Sequence, residues 1–262
     1  MAPSASQAPG GLTRRLVWAT FAALGAVLCG YLVVLLTRGS DHRWVWLDGW
    51  TVCALEIVAA SLCIARGIHR HANRVAFVVL GAALMAWALG DVLLTAESLG
   101  GASPSTPSFA DLFYLAFYPL AYVGTVLLIR NAMTQHLSKP NWLDGAVAGL
   151  GAAAVCAAFA FHSLLGQLGD TSGAVATNLS YPIGDLLVLS LVIGGTVVLS
   201  GRWSLPWLLL TAGITLNVVG DTFNLFQASE YSTRLGSTFN AIAWPTSILL
   251  IAMSVWLRPQ VR

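Results

Sequence analysis

Eight stretches of roughly twenty or more mostly apolar residues follow one another along the chain. They run at about 16–37, 45–66, 75–97, 110–130, 142–166, 178–200, 205–228 and 238–257. A helix rises about 1.5 Å per residue, so about 20 apolar residues cross a hydrocarbon core roughly 30 Å thick. Lipid offers no partner to a backbone N–H or C=O, which leaves helices and closed barrels as the only spanning structures. Stretches of this length are too long for barrel strands. The expected fold is therefore all-α, a polytopic transmembrane bundle of about eight helices. Only 9% of the residues are charged, against about 25% in a soluble domain, so most of the surface must face lipid.

The division that follows is a tail over 1–15, a transmembrane domain over 16–257 and a tail over 258–262. The segment MAPSASQAPGGLTRR resembles the start of a signal peptide. The apolar run behind it is long for a signal, and no small-residue cleavage site clearly ends it, so it is read as an uncleaved first helix. The connections at 99–108 and 166–177 are the longest.

Orientation follows from the basic residues, which accumulate on cytoplasmic loops. Ten of the thirteen lie on one side: Arg14, Arg15, Arg66, Arg70, Arg74, Arg130, Lys139, Arg202, Arg258 and Arg262. Arg38, Arg43 and Arg234 lie on the other. Both termini are thus expected in the cytoplasm of a cell-membrane protein. Trp18, Trp142, Trp203, Trp207 and Trp256 then form an inner interfacial belt, and Trp44, Trp46 and Trp50 an outer one.

Ionisable residues at membrane depth are costly and mark functional positions. Glu56 falls near the middle of the second stretch, Asp91, Asp185 and Asp221 in the outer parts of the third, sixth and seventh, and Asp111 opens the fourth from outside. At 100° per residue, Asp111, Tyr114, Tyr118 and Tyr122 share one stripe. So do Trp87, Asp91 and Thr95; Asn178, Tyr181 and Asp185; and Asn217, Asp221 and Asn224. Asn240 and Trp244 lie one turn apart on the last stretch. Such stripes are expected to face one another in the outer half of the bundle, since polar groups facing lipid go unsatisfied.

No Lys or Arg lies deep in a stretch, so the carboxyls must be protonated, hydrogen-bonded to Tyr, Asn or Trp, or matched by a small ligand or cation from outside. The competing reading makes the same groups hydrogen-bond glue between helices and caps at helix ends, Asp111 and Asp144 being candidates for the latter. Glu56 is read as buried and isolated, and His162 as a packed interfacial histidine.

Short echoes suggest internal repetition. LGDVLLT and VGDTFNL each carry an Asp, central prolines recur at Pro119 and Pro245, and WLDG occurs at 46–49 and 142–145. They share no common offset. GAVAG at 145–149 has the spacing that allows close helix approach.

Chemistry is conspicuous by its type. The chain has no phosphate-binding GxxxxGK[ST], no HExxH and no GxSxG. His69 and His71 lie in an arginine-rich loop, and Cys29, Cys53, Cys63 and Cys156 all fall inside apolar stretches without metal spacing. The reading is of a protein that is not an enzyme, with no cofactor and no metal. A net charge of +2 gives no sign of a nucleic-acid partner.

Four strings resemble the membrane-embedded N-terminal region of actinobacterial GGDEF and GGDEF–EAL proteins: FADLFYLAFYPLAYVGTVLLIR (109–130), NWLDGAVAGL (141–150), ATNLSYPIGDLLVLSLVIGG (176–195) and FNAIAWPTSILLIAMSVW (239–256). The resemblance covers about two-thirds of the chain, from the third stretch to the eighth. It implies a membrane anchor and signal-input module that serves cytoplasmic domains making or degrading cyclic di-GMP. No GGDEF or EAL string occurs here, so the chain is expected to be a stand-alone homologue, a truncated protein or a subunit acting through a partner. A small proton-coupled transporter or channel, with Pro119, Pro182 and Pro245 breaking helices, and a passive scaffold are the alternatives.

Overall fold

The computed structural model describes residues 11–38, 44–69, 73–99, 104–133, 172–198, 204–227 and 234–257, with single residues 101, 151 and 154 between them. Seven α-helices lie among them: α1 (Gly11–Thr37), α2 (Val52–His69), α3 (Arg74–Glu97), α4 (Phe109–Met133), α5 (Ser172–Val198), α6 (Leu205–Gln227) and α7 (Arg234–Trp256). The protein is a polytopic helical bundle. Six spans are long and apolar enough to cross a membrane: Thr13–Thr37, Trp46–His69, Arg74–Glu97, Phe109–Ala132, Ser172–Val197 and Gly236–Trp256. α6, which carries Asn217, Asp221 and Asn224, falls outside that set. The expected segment 142–166, with Asp144, His162, Cys156 and the GAVAG string, lies outside the described residues, as does His71.

The helices form a ring. α2 packs on α3, α3 on α4, α4 on α5, α5 on α6 and α6 on α7, and α7 closes back on α2. α1 stands outside the ring, mainly against α7, and presents Leu16, Val33 and Leu36 outward. Such apolar exposure is what a lipid-facing helix requires. The middle of the ring is filled by Leu80, Leu84, Val188, Val192, Leu210, Ile214, Ile248 and Ile251.

Several local features depart from the sequence reading. The second span enters through a π-helical turn, Trp46–Thr51, which contains the WLDG string. A methyl group on Gly49 would meet Thr95 Cγ2 on α3 at 2.6 Å, so only glycine lets this turn lie against α3. Asp48 in the same turn accepts from Arg38 at 2.7 Å, Tyr31 at 3.1 Å and the Trp44 backbone N–H at 2.8 Å. α5 starts six residues before the expected 178, and α7 starts at Arg234 instead of 238. The early turns of α5 have a neighbour, since a methyl group on Gly173 would rest 3.7 Å from Pro107 Cδ.

Pro119, Pro182 and Pro245 all lie inside continuous helices and do not break them. At the end of the ring away from the α3–α4 connection, Arg66 donates from Nε to the Val255 carbonyl at 3.2 Å and lies 4.9 Å from the Trp256 ring centre. Trp256 in turn donates to the Leu62 carbonyl at 3.0 Å. Cys29, Cys53 and Cys63 are free thiols.

Candidate functional site

At the end of the ring that holds the α3–α4 connection, a cavity of about 260 Å³ opens between the helices. Its wall is built by Trp87, Asp91 and Leu94 of α3; Pro104, Ser105, Thr106 and Ser108 of the connection; Asp111 and Tyr114 of α4; Asn178 and Tyr181 of α5; Asp221 and Asn224 of α6; and Trp244 of α7. None of these side chains is basic.

α4 supplies the organising stripe. Its first turn is closed by a reciprocal capping box, in which the Ser108 backbone N–H donates to Asp111 Oδ2 at 2.7 Å and the Asp111 N–H approaches Ser108 Oγ at 3.4 Å. The box satisfies donors that a helix start otherwise leaves unpaired. Asp111 still has a free oxygen, Oδ1, and Tyr181 from α5 donates to it at 2.6 Å. Asp111 is thus a cap and an interhelical acceptor together. One turn along, Tyr114 donates to Asp91 of α3. Another turn along, Tyr118 donates to Asp221 Oδ2 of α6 at 2.8 Å. Three successive positions of one helix face therefore tie α4 to α5, α3 and α6.

Two carboxyl pairs lie behind these bonds. Glu56 of α2, fully buried, lies beside Asp91, and neither Glu56 oxygen receives a bond from any donor group among the described residues. It is not isolated, contrary to the reading of its sequence position: α3 brings Asp91 to it. Asp185 of α5 contacts Asp221 in the same way. A carboxyl can bond to a carboxyl only through a proton, so a bond within such a pair needs at least one proton between the two acids. Asp221 also accepts from Trp244 Nε1 on Oδ1 at 2.8 Å.

The aromatic residues pack edge to face around these acids. Trp87 lies 5.1 Å from Tyr114, 5.2 Å from Phe117 and 6.1 Å from Trp244 between ring centres, and Tyr118 lies 6.2 Å from Tyr181. Trp87 is 3% exposed, and its indole N–H has no acceptor among the described residues.

Three glycines let the rings approach. Tyr114 lies against Gly90, where a methyl group would meet Cε1 at 2.6 Å; Trp244 lies against Gly220, with Nε1 at 3.0 Å; and Tyr118 lies against Gly184 with no room for a methyl group at all. Each glycine immediately precedes an acid of the site: Gly90–Asp91, Gly184–Asp185 and Gly220–Asp221. The bare backbone admits the ring while the next side chain meets a polar group beside it. The repeated Gly-Asp dipeptide was a signal in the sequence, visible in LGDVLLT, IGDLLVL and VGDTFNL, that the polar stripes alone did not use.

Of the residues singled out from sequence, Trp87, Asp91, Asp111, Tyr114, Tyr181, Asp221, Asn224 and Trp244 line the cavity. Glu56, Tyr118 and Asp185 stand behind the wall, bonded to acids that form it or pair with it. Asn240 also stands back, donating from Nδ2 to Asn224 Oδ1 at 3.0 Å. Asn217 is buried one turn farther from the mouth and is not part of the lining. Tyr122 departs from the stripe and is 40% exposed. At its level the inward face of α4 is formed by Ala121, Gly124 and Thr125, and Tyr122 stands off it. Thr95 is likewise turned away from the cavity, 3.7 Å from the Cys53 thiol. The loop residues Pro104, Ser105 and Thr106 were not foreseen, because a connection has no periodicity to read.

Among the described residues no group of three or more His, Cys, Asp or Glu is placed to hold a metal ion. No protein-family model matches the chain, and no curated protein or solved structure matches it.

Proposed function

We propose that the protein is a sensory-input or anchoring module of the cell membrane, with the cavity facing outside and both termini in the cytoplasm. In this reading it acts on a cytoplasmic partner of the GGDEF or EAL class, as the membrane regions it resembles serve their own output domains. The observation that carries the proposal is the cavity: acids and aromatic rings from five helices meet at one end of the ring. The ten-to-three distribution of basic residues supports putting that end outside. A ligand there touches α3, α4, α5, α6 and α7 together, so its differential affinity for two arrangements of those helices is available to bias them.

The apolar filling between the cavity and the Arg66 end favours a receptor over a transport path. Leu80, Leu84, Val192, Leu210 and Ile251 are almost wholly buried there, and the prolines leave the helices whole.

The test is a fusion of the full chain, through its C-terminus, to a diguanylate cyclase domain in a host lacking other cyclases. Asp185→Asn with Asp221→Asn is expected to change cyclic di-GMP by about fivefold or more, the scale of an ordinary coupling free energy. Equal cyclic di-GMP in wild-type and variant fusions, at equal amounts in the membrane, would leave only an anchor.

A further inference from the structure

The end of the ring opposite the cavity carries basic groups that nothing in the bundle matches, and they have no part in the cavity or in any signalling role. We infer that Arg74 and Arg130 together bind the phosphate headgroup of an anionic phospholipid, with His69 as a third donor beside them.

Register places these residues. α3 and α4 run antiparallel, with Tyr114 against Gly90, Leu80 against Gly124, and Asn131 donating from Nδ2 to Asn73 Oδ1 at 2.8 Å. The same register sets Arg74, the first residue of α3, level with Arg130 in the last turn of α4. α2 completes the group. A methyl group on Gly67 would meet the Arg74 carbonyl at 3.0 Å, and His69 ends that helix two residues on.

Arg74, Arg130 and His69 are all exposed, and none of their side chains has a hydrogen-bonded or ion-paired partner among the described residues. Two like charges level with one another on neighbouring helices repel. No Asp or Glu among the described residues stands in the turns that close this end. Arg66 is different, since the Val255 carbonyl and the Trp256 ring already engage it; it ties α2 to α7.

Two guanidinium groups at one level suit an anion with several oxygens, and phosphate accepts from such forks bidentately. The position of the groups makes the source a lipid. They stand at the ends of the spans Trp46–His69, Arg74–Glu97 and Phe109–Ala132, the depth at which headgroups lie. Ile68 and Val75, next to His69 and Arg74 in sequence, are exposed apolar side chains, the surface that an acyl chain covers below its headgroup. Basic pockets between spanning helices hold lipid headgroups in this way.

The test loads the full chain onto affinity resin from mixed micelles holding equal phosphatidylglycerol and phosphatidylcholine. After washing at fixed ionic strength, the retained lipids are counted. Phosphatidylglycerol is expected in at least tenfold excess. Arg74→Gln and Arg130→Gln should each lower that preference about fivefold, the scale of one basic residue at an anionic lipid surface. Arg74→Lys and Arg130→Lys should lower it less, because the charge stays while the fork is lost. Arg14→Gln combined with Arg15→Gln, at the exposed start of α1, should change it by less than about twofold, well under the effect of one residue of the site.

Equal retention of the two lipids by protein that melts cooperatively would overturn the assignment. So would a preference unmoved by the glutamine substitutions in variants that melt as the wild type does. A loss as large in the Arg14 and Arg15 variant would overturn it too, by making the attraction a property of the whole basic surface. Inorganic phosphate exchanged for chloride at the same ionic strength should leave phosphatidylglycerol bound, and its displacement would assign the two arginines to a soluble anion instead.

Discussion

Tyr118 and Asp221, 103 residues apart in sequence, are joined at 2.8 Å across the ring from α4 to α6. The tyrosine ring reaches that acid because Gly184 on the intervening α5 has no side chain to hold it off.

Removing the hydroxyl and blocking the ring should therefore act on one bond by two routes. Tyr118→Phe leaves Asp221 short of a buried donor, a loss of about 1–3 kcal/mol. Gly184→Ala forces the whole ring to move and should cost as much or more, because packed cores resist displacement. Combined, the two changes should destabilise by clearly less than their sum, since the second has little bond left to break. Thermal melting of the single and double variants in micelles checks this. Fully additive losses would mean that the glycine and the hydroxyl act independently.

Glu56 offers a test of the shared proton. Glu56→Gln substitutes an amide that can donate to Asp91 without any proton being shared, so the melting temperature should stay within a few degrees of wild type. Glu56→Ala removes the contact and leaves a cavity beside Asp91, with an expected loss of about 2–3 kcal/mol. A glutamine variant as unstable as the alanine variant would show that the charge on Glu56, and not its hydrogen bond, is what the bundle requires.

The pair outside the ring should behave differently. Arg38 sits just beyond α1, and its hydrogen bond to Asp48 holds the guanidinium pKa above its ordinary value. A base raised in the folded state stabilises fully below its unfolded pKa and is lost only as pH climbs through the folded one. For arginine that window lies above about pH 12. The contribution of Arg38 should thus be flat from pH 7 to 10. Arg38→Gln should cost about 1 kcal/mol or less, and Asp48→Ala more, since it also removes an acceptor from the Tyr31 hydroxyl and the Trp44 N–H. Melting curves of both variants at two pH values decide it.

Much of this arrangement was legible in the sequence, for a definite reason. Asp111, Tyr114 and Tyr118 recur at helical spacing, and a polar stripe in lipid has nowhere to face but inward, so periodicity alone predicted that they meet other stripes. The helices themselves followed from length and apolarity. What periodicity cannot supply is the pairing between helices. Nothing local told that Glu56 would face Asp91, or that Asp185 and Asp221 would meet. Tyr122 obeyed the spacing and still turned outward, because the inward face at its depth is set by which neighbour α4 touches there. The start of α5 at Ser172 was missed because Gly, Ser and Ala read as a linker until Pro107 gives them something to rest on.

The comb on α4 has a mechanical consequence. Asp111, Tyr114 and Tyr118 engage three different neighbours from one rigid rod, so sliding that rod by a single residue's rise, about 1.5 Å, would strain all three engagements at once. No single tooth can disengage cheaply while the others stay seated. Any movement of α4 along its axis at this end would therefore release its bonds to three neighbouring helices together.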